Sequence, residues 1–195
     1  MRFKQMVASL AIVCILQPID VPRSNDLPNS IYLQQQSSNS CTLAAAAMMV
    51  RRYLYHQNAR WDLITENTLK GQAWSLDGLL WHWQWSDDEN LITVEHSSFN
   101  NFDVKNIKQL LMDHPEGILF YCGGDIHHGV LITKVNGHTV YCADPAIGYS
   151  GKEIRLVDSL LGNRLGTQEN ILRNGTAVWC IISAEDKEPY SDCIV

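Results

Sequence analysis

Between Cys41 and Tyr55 the chain reads CTLAAAAMMVRRYLY, an apolar run interrupted only by paired arginines. Alanine, methionine, leucine and arginine are good helix formers, so the run predicts a mostly buried helix. Ser37, Ser38, Asn39 and Ser40 precede it and are all N-cap candidates, which sets Cys41 at the first turn. From Trp61 to Trp85 the chain is rich in tryptophan. Leu79, Trp81, Trp83 and Trp85 alternate with Leu80, His82 and Gln84, a period of two that predicts a strand. Asp77-Gly78 before it would equally open a short helix. Val104, Ile107, Leu110 and Leu111 have helical spacing, and Pro115-Glu116-Gly117 ends that helix.

The second half changes period. Ile118–Cys122 reads as a short apolar strand. Gly129–Val135 and Thr139–Ala143 flank Asn136-Gly137, a hairpin signal, and Asp144-Pro145 closes the hairpin. Ala177–Ser183, AVWCIIS, reads as a buried strand. A helix first and an antiparallel sheet second describe an α+β domain.

At 195 residues the chain fits one domain with a leader and can bury a sizeable core. A net charge of −6 argues against nucleic acid or an anionic membrane surface as partner, since both demand a basic face. No apolar run reaches the length of a membrane-spanning helix. At the N-terminus, Arg2 and Lys4 precede an apolar stretch from Met6 to Leu16, the pattern of a secretory signal, although no small-x-small cleavage triplet follows. The expected layout is a leader over 1–16, a Pro-containing linker over 17–30 and one domain over 31–195, in an extracytoplasmic compartment. Asn174-Gly175-Thr176 has the form of a glycosylation sequon. Loss of the leader removes Cys14 and leaves an odd number of cysteines, hence one free thiol. Cys41 stands apart in sequence. Cys122, Cys142, Cys180 and Cys193 allow up to two bridges, or remain as buried thiols.

Cys41 at a helix N-terminus has a physical claim to be a nucleophile. The helix dipole and the unpaired N–H groups of the first turn favour a thiolate and can hold an oxyanion. A thiol nucleophile needs a base, and the base needs an orienting group. His127-His128-Gly129 opens one strand of the hairpin and Asp144 ends the other, so the hairpin brings imidazole and carboxylate together. Gln35, six residues before Cys41, is placed to donate its amide to an oxyanion. Gln34 and Gln36 offer the same group.

Gln35, Cys41 opening an Ala-rich helix, His128, and Asp144-Pro145-Ala146 together resemble the papain-like cysteine peptidases. The bacteriocin-leader (double-glycine) peptidase family and its stand-alone secreted bacterial relatives are the nearest in pattern. The six-residue step from Gln35 to Cys41 and the sixteen-residue step from His128 to Asp144-Pro145 match that family's spacing. The match runs from about Tyr32 to Tyr149 and is weak between Tyr55 and Val104. The resemblance implies a papain-like fold and a peptide or protein substrate. It also implies Cys41 as nucleophile, His128 as base, Asp144 as orienter and Gln35 as oxyanion donor. Where the family has Gly-Pro after the cysteine, this chain has Thr42-Leu43, which is expected to narrow the cleft. No export ATPase or transporter segment accompanies these motifs.

Strand parity tests the choice of histidine. A regular two-residue Asn136-Gly137 turn pairs Val135 with His138 and puts His127, not His128, on the face of Asp144. His128 as base therefore requires a bulge or an odd-length loop in the hairpin. Asp125 is a lesser alternative carboxylate. Competing readings are weaker. Cys122, His127, His128 and Cys142 do not have common zinc-ligand spacing, Gly123-Gly124 is no phosphate loop, and no cofactor motif is present. Period-two tryptophans suit core packing better than sugar stacking. The sequence thus predicts a thiol hydrolase without cofactor or metal. A peptidyl or acyl transferase on the same triad, or a secreted binding domain on the same fold, is the alternative.

Overall fold

The structure is a computed structural model, and it describes residues 27–75, 78–97 and 102–186. The expected leader, most of the linker and Cys193 lie outside the described residues. In chain order the helices are α1 (Cys41–His56), α2 (Glu66–Ala73), α3 (Val104–Asp113), α4 (Leu160–Leu165) and α5 (Gln168–Arg173). The strands are β1 (Trp74–Ser75), β2 (Gly78–Leu79), β3 (His82–Ser86), β4 (Asn90–Ser97), β5 (Ile118–Cys122), β6 (His128–Asn136), β7 (Thr139–Ala143), β8 (Glu153–Arg155) and β9 (Gly175–Asp186). This is an α+β domain in which α1 packs on an antiparallel sheet.

The sheet has seven strands in the order β3-β4-β9-β5-β6-β7-β8, and β1 pairs with β2 separately. It is not confined to the second half of the chain. β3 and β4 come before α3, and β9, last in sequence, slots into the middle between β4 and β5. Alternate residues of the central strands feed two cores. Leu119, Leu131 and Trp179 face α1 and α2, whereas Phe120, Val130, Ile132 and Val178 face α3, α4 and α5. Covered on both faces, β5 and the first part of β6 carry continuous apolar sequence rather than alternation.

α1 is buried on all sides from Cys41 to Arg52. Its four alanines let the sheet, α2 and the entering chain close around it. The two arginines are buried as well, and each is satisfied by backbone carbonyls. Arg51 Nε donates to Ile64 O at 2.7 Å and its Nη1 to Ser30 O at 2.5 Å. Arg52 Nε donates to Glu116 O at 2.7 Å and its Nη2 to Pro115 O at 3.2 Å. The guanidinium fork supplies enough donors to make such a burial tolerable. The chain enters the domain before Ile31: Leu27 packs on the α1 core, and a 3-10 turn covers Asn29–Ile31.

The β6–β7 hairpin differs from a regular one in two ways. Asn136 pairs with Thr139, so the two-residue loop is Gly137-His138, one residue later than Asn136-Gly137. Gly137 accounts for this, since its φ of 59° is the left-handed value that the first loop position needs. The register then shifts between Ile132 and Lys134, leaving Thr133 as a bulge. The register of the turn, run straight through, would set Asp144 opposite Leu131 and put His128 on the other face. The bulge sets it opposite Val130, on the same face as His128.

Candidate active site

Three of the four candidate residues come together: His128 and Asp144 are hydrogen-bonded, and Cys41 stands beside the imidazole. Asp144 is buried at the end of β7 and accepts from His128 Nε2 at 2.8 Å. A carboxylate only accepts, so Nε2 carries the proton. The same Oδ1 accepts from Ala146 N at 2.9 Å, and Oδ2 accepts from Leu160 N, the first residue of α4, at 2.7 Å. These fixed N–H groups hold the carboxylate in place. The Cys41 side chain stands beside the His128 ring and interacts with it. Burial alone would lower the pKa of His128. The hydrogen bond and charge of Asp144, together with the neighbouring Cys41, outweigh it and raise the imidazole to about 9.

The approach of α1 to β6 depends on Gly129. A Cβ there would lie 2.9 Å from Thr42 Cγ2 and 3.5 Å from Thr42 Cα. Thr42 is buried against this glycine, so the larger side chain after the cysteine is absorbed between helix and strand. Cys41 Sγ stands 3.9 Å from the His127 carbonyl oxygen. His127 has a φ of 43°, the left-handed region that a non-glycine residue seldom adopts. Its side chain turns away from Asp144, and its Nδ1 pairs with the Tyr121 hydroxyl at 2.8 Å. Between the two histidines, it is His128 that meets the carboxylate.

The N-terminus of α1 is open. α2, α3, α4 and α5 are each capped by a side chain at their first turn, namely Thr65, Asp103, Ser159 and Thr167. Ser40, the N-cap residue of α1, makes no such bond. Its hydroxyl instead donates to Ser37 O at 3.2 Å and accepts from Ser37 N at 3.1 Å. The first-turn N–H groups beside Cys41 are thus left for an incoming acceptor.

Gln35 is placed beside these residues but does not join them. Its backbone N–H donates to Pro145 O at 2.9 Å, and its Nε2 donates to Ser37 O at 2.7 Å. Its Oε1 is buried with no partner among the described residues. Gln34 and Gln36 are exposed, which separates Gln35 from its neighbours. Gln36 N donates to Glu66 Oε1 at 2.8 Å, so buried Glu66 at the start of α2 fixes the segment that leads into Cys41.

Glu66, Tyr121 and Gly129 are the residues that sequence reasoning passed over. The sequence signals were an acid just after a Thr cap and a glycine directly after paired histidines. Cys122, Cys142 and Cys180 are free and buried, so no bridge joins them. Among the described residues no group of three or more His, Cys, Asp or Glu side chains is arranged to hold a metal ion, and no helix is long and apolar enough to cross a membrane. No family model, curated protein or solved structure matches the chain.

Proposed function

We propose that this chain is a papain-like cysteine hydrolase that cleaves peptide bonds through a Cys41–His128–Asp144 triad. The observation that carries this reading is the buried His128–Asp144 pair with Cys41 beside its imidazole, whose pKa is raised to about 9. A histidine so placed holds a proton at neutral pH, and a protonated imidazole beside a thiol is the partner that a sulfur nucleophile needs.

Cys41 Sγ attacks the scissile carbonyl carbon, and the carbonyl electron pair moves to oxygen. The open first turn of α1 and the second Nε2 hydrogen of Gln35 receive that oxyanion. Collapse breaks the C–N bond as His128 gives its proton to the leaving amine, and a thioester remains. His128, now neutral, takes a proton from water as the water attacks the thioester. The acid departs, and thiolate and imidazolium are restored. Asp144 fixes the tautomer and ring orientation throughout.

The test is incubation with a mixed peptide library and mass spectrometry of the products. Cleavage is expected from the native chain, none from Cys41→Ala, and a loss of about 10³-fold in His128→Ala. Cleavage that survives Cys41→Ala would remove the proposal.

A further inference from the structure

One face of α2 runs from the cysteine loop into a cavity. Glu66 and Lys70 are four residues apart and share one face of α2, and Trp74 follows the helix as the first residue of β1. Glu66 grips the Gln36 N–H at 2.8 Å. One turn further on Lys70, and past the helix end Trp74, line a cavity of about 530 Å³ with Ser37, Asn39 and Ser75. Asn39 is two residues from Cys41, so their Cα atoms are at most about 7.6 Å apart. The cavity therefore borders the loop that leads into Cys41.

Its polar groups are donors. The Lys70 ammonium makes no ion pair with a described residue. Trp74 Nε1 is buried and has no hydrogen-bond partner among the described residues. A buried N–H in that state is uncommon and stays unfavourable until an acceptor reaches it. Asn39 Oδ1 accepts from the Ser37 hydroxyl at 2.8 Å, which directs the free capacity of that amide to its NH₂. Among the described residues no aspartate or glutamate lines the cavity. Glu66, one turn before Lys70 on α2, is committed to Gln36.

We propose that this cavity is a specificity pocket that takes an acidic side chain of the peptide substrate. The carboxylate sits against Lys70, with the Trp74 and Asn39 N–H groups completing its acceptor shell. The proposal rests on Cys41 being the nucleophile of a peptide hydrolase, and it names the substrate class of that site. Charge-assisted hydrogen bonds of this kind discriminate between a carboxylate and its neutral amide, whose shapes are nearly the same.

The test uses the Cys41→Ala chain, which binds without cleaving. Acetylated, amidated alanine hexapeptides carry one glutamate or one glutamine at each position in turn, and affinity is measured calorimetrically. At one position the glutamate peptide is expected to bind about tenfold more tightly than its glutamine twin. That ratio falls to near one in Cys41→Ala/Lys70→Ala, inverts with Lys70→Glu, shrinks with Trp74→Phe and declines as salt is raised. No glutamate preference at any position, or a preference that survives Lys70→Ala, overturns the pocket. Because the thiol is absent, this result is independent of whether Cys41 is activated, which alkylation decides separately.

Discussion

Gly129 and Thr42 touch where α1 meets β6, and a Cβ on the glycine would come within 2.9 Å of the threonine Cγ2. That contact sets how near Cys41 can come to His128. Gly129→Ala is expected to push the helix and strand apart and to cost about 1–3 kcal/mol by overpacking. Alkylation of Cys41 slows in parallel. Thr42→Ala removes the Cγ2 and restores room, so the double variant Gly129→Ala/Thr42→Ala recovers part of both losses. Urea unfolding and alkylation rates, taken as a double-mutant cycle, read this coupling. Strict additivity would mean that the contact does not set the approach.

Asp144 accepts three hydrogen bonds through two oxygens. Asparagine keeps the shape but turns one of those oxygens into a donor. Asp144→Asn therefore sets an NH₂ group against an N–H and leaves His128 without its counter-charge. The expected cost is about 2–4 kcal/mol in unfolding free energy. The imidazole also falls from about 9 toward the ordinary histidine value. An NMR titration of His128 in wild type and variant measures the second effect. An unchanged titration would separate Asp144 from the imidazole proton.

Histidines give the fold a two-sided pH dependence. His128 is raised to about 9. His114 is raised to about 10 by its hydrogen bonds to Cys180 and Glu116. Both bind a proton more tightly folded than unfolded, so their contribution is complete below about 6.5 and is lost as pH climbs through 9 and 10. His56 and His96 are lowered, chiefly by burial. Their contribution is complete above about 6.5 and is lost as pH falls through their folded values. The urea midpoint is expected to decline on both sides of a maximum near pH 6.5, and His114→Gln flattens the alkaline side. A midpoint that rises steadily from pH 7 to pH 10 contradicts these assignments.

Local signals made part of this structure legible. The composition of Cys41–His56 is that of a buried helix, and the observed α1 differs from the expected Cys41–Tyr55 by one residue. The conflict between strand parity and the His128 spacing called for an irregular hairpin, and the Thr133 bulge is that irregularity. The turn residue was off by one because Asn136-Gly137 and Gly137-His138 both satisfy a glycine-bearing loop, and only the tertiary register separates them. The rest depends on non-local pairing. Nothing near Gly175–Asp186 tells that it will lie between β4 and β5. Arg51 and Arg52 read as helix formers, whereas their work is to hold carbonyls up to 64 positions away. Trp83 and Trp85 go into the core as the period-two pattern suggested, yet Trp81, in the same series, is 68% exposed.

Alkylation of Cys41 bears most directly on the central claim. The chain is treated briefly with iodoacetamide near pH 6, as wild type and as Cys41→Ala, and intact masses are read. Burial pushes the Cys122 thiol up to about 12 and the Cys142 thiol well above its usual value, so both stay silent. One rapid adduct in wild type that is absent from Cys41→Ala is the predicted result. Labelling of Cys41 no faster than that of a free model thiol would contradict an activated nucleophile and with it the hydrolase.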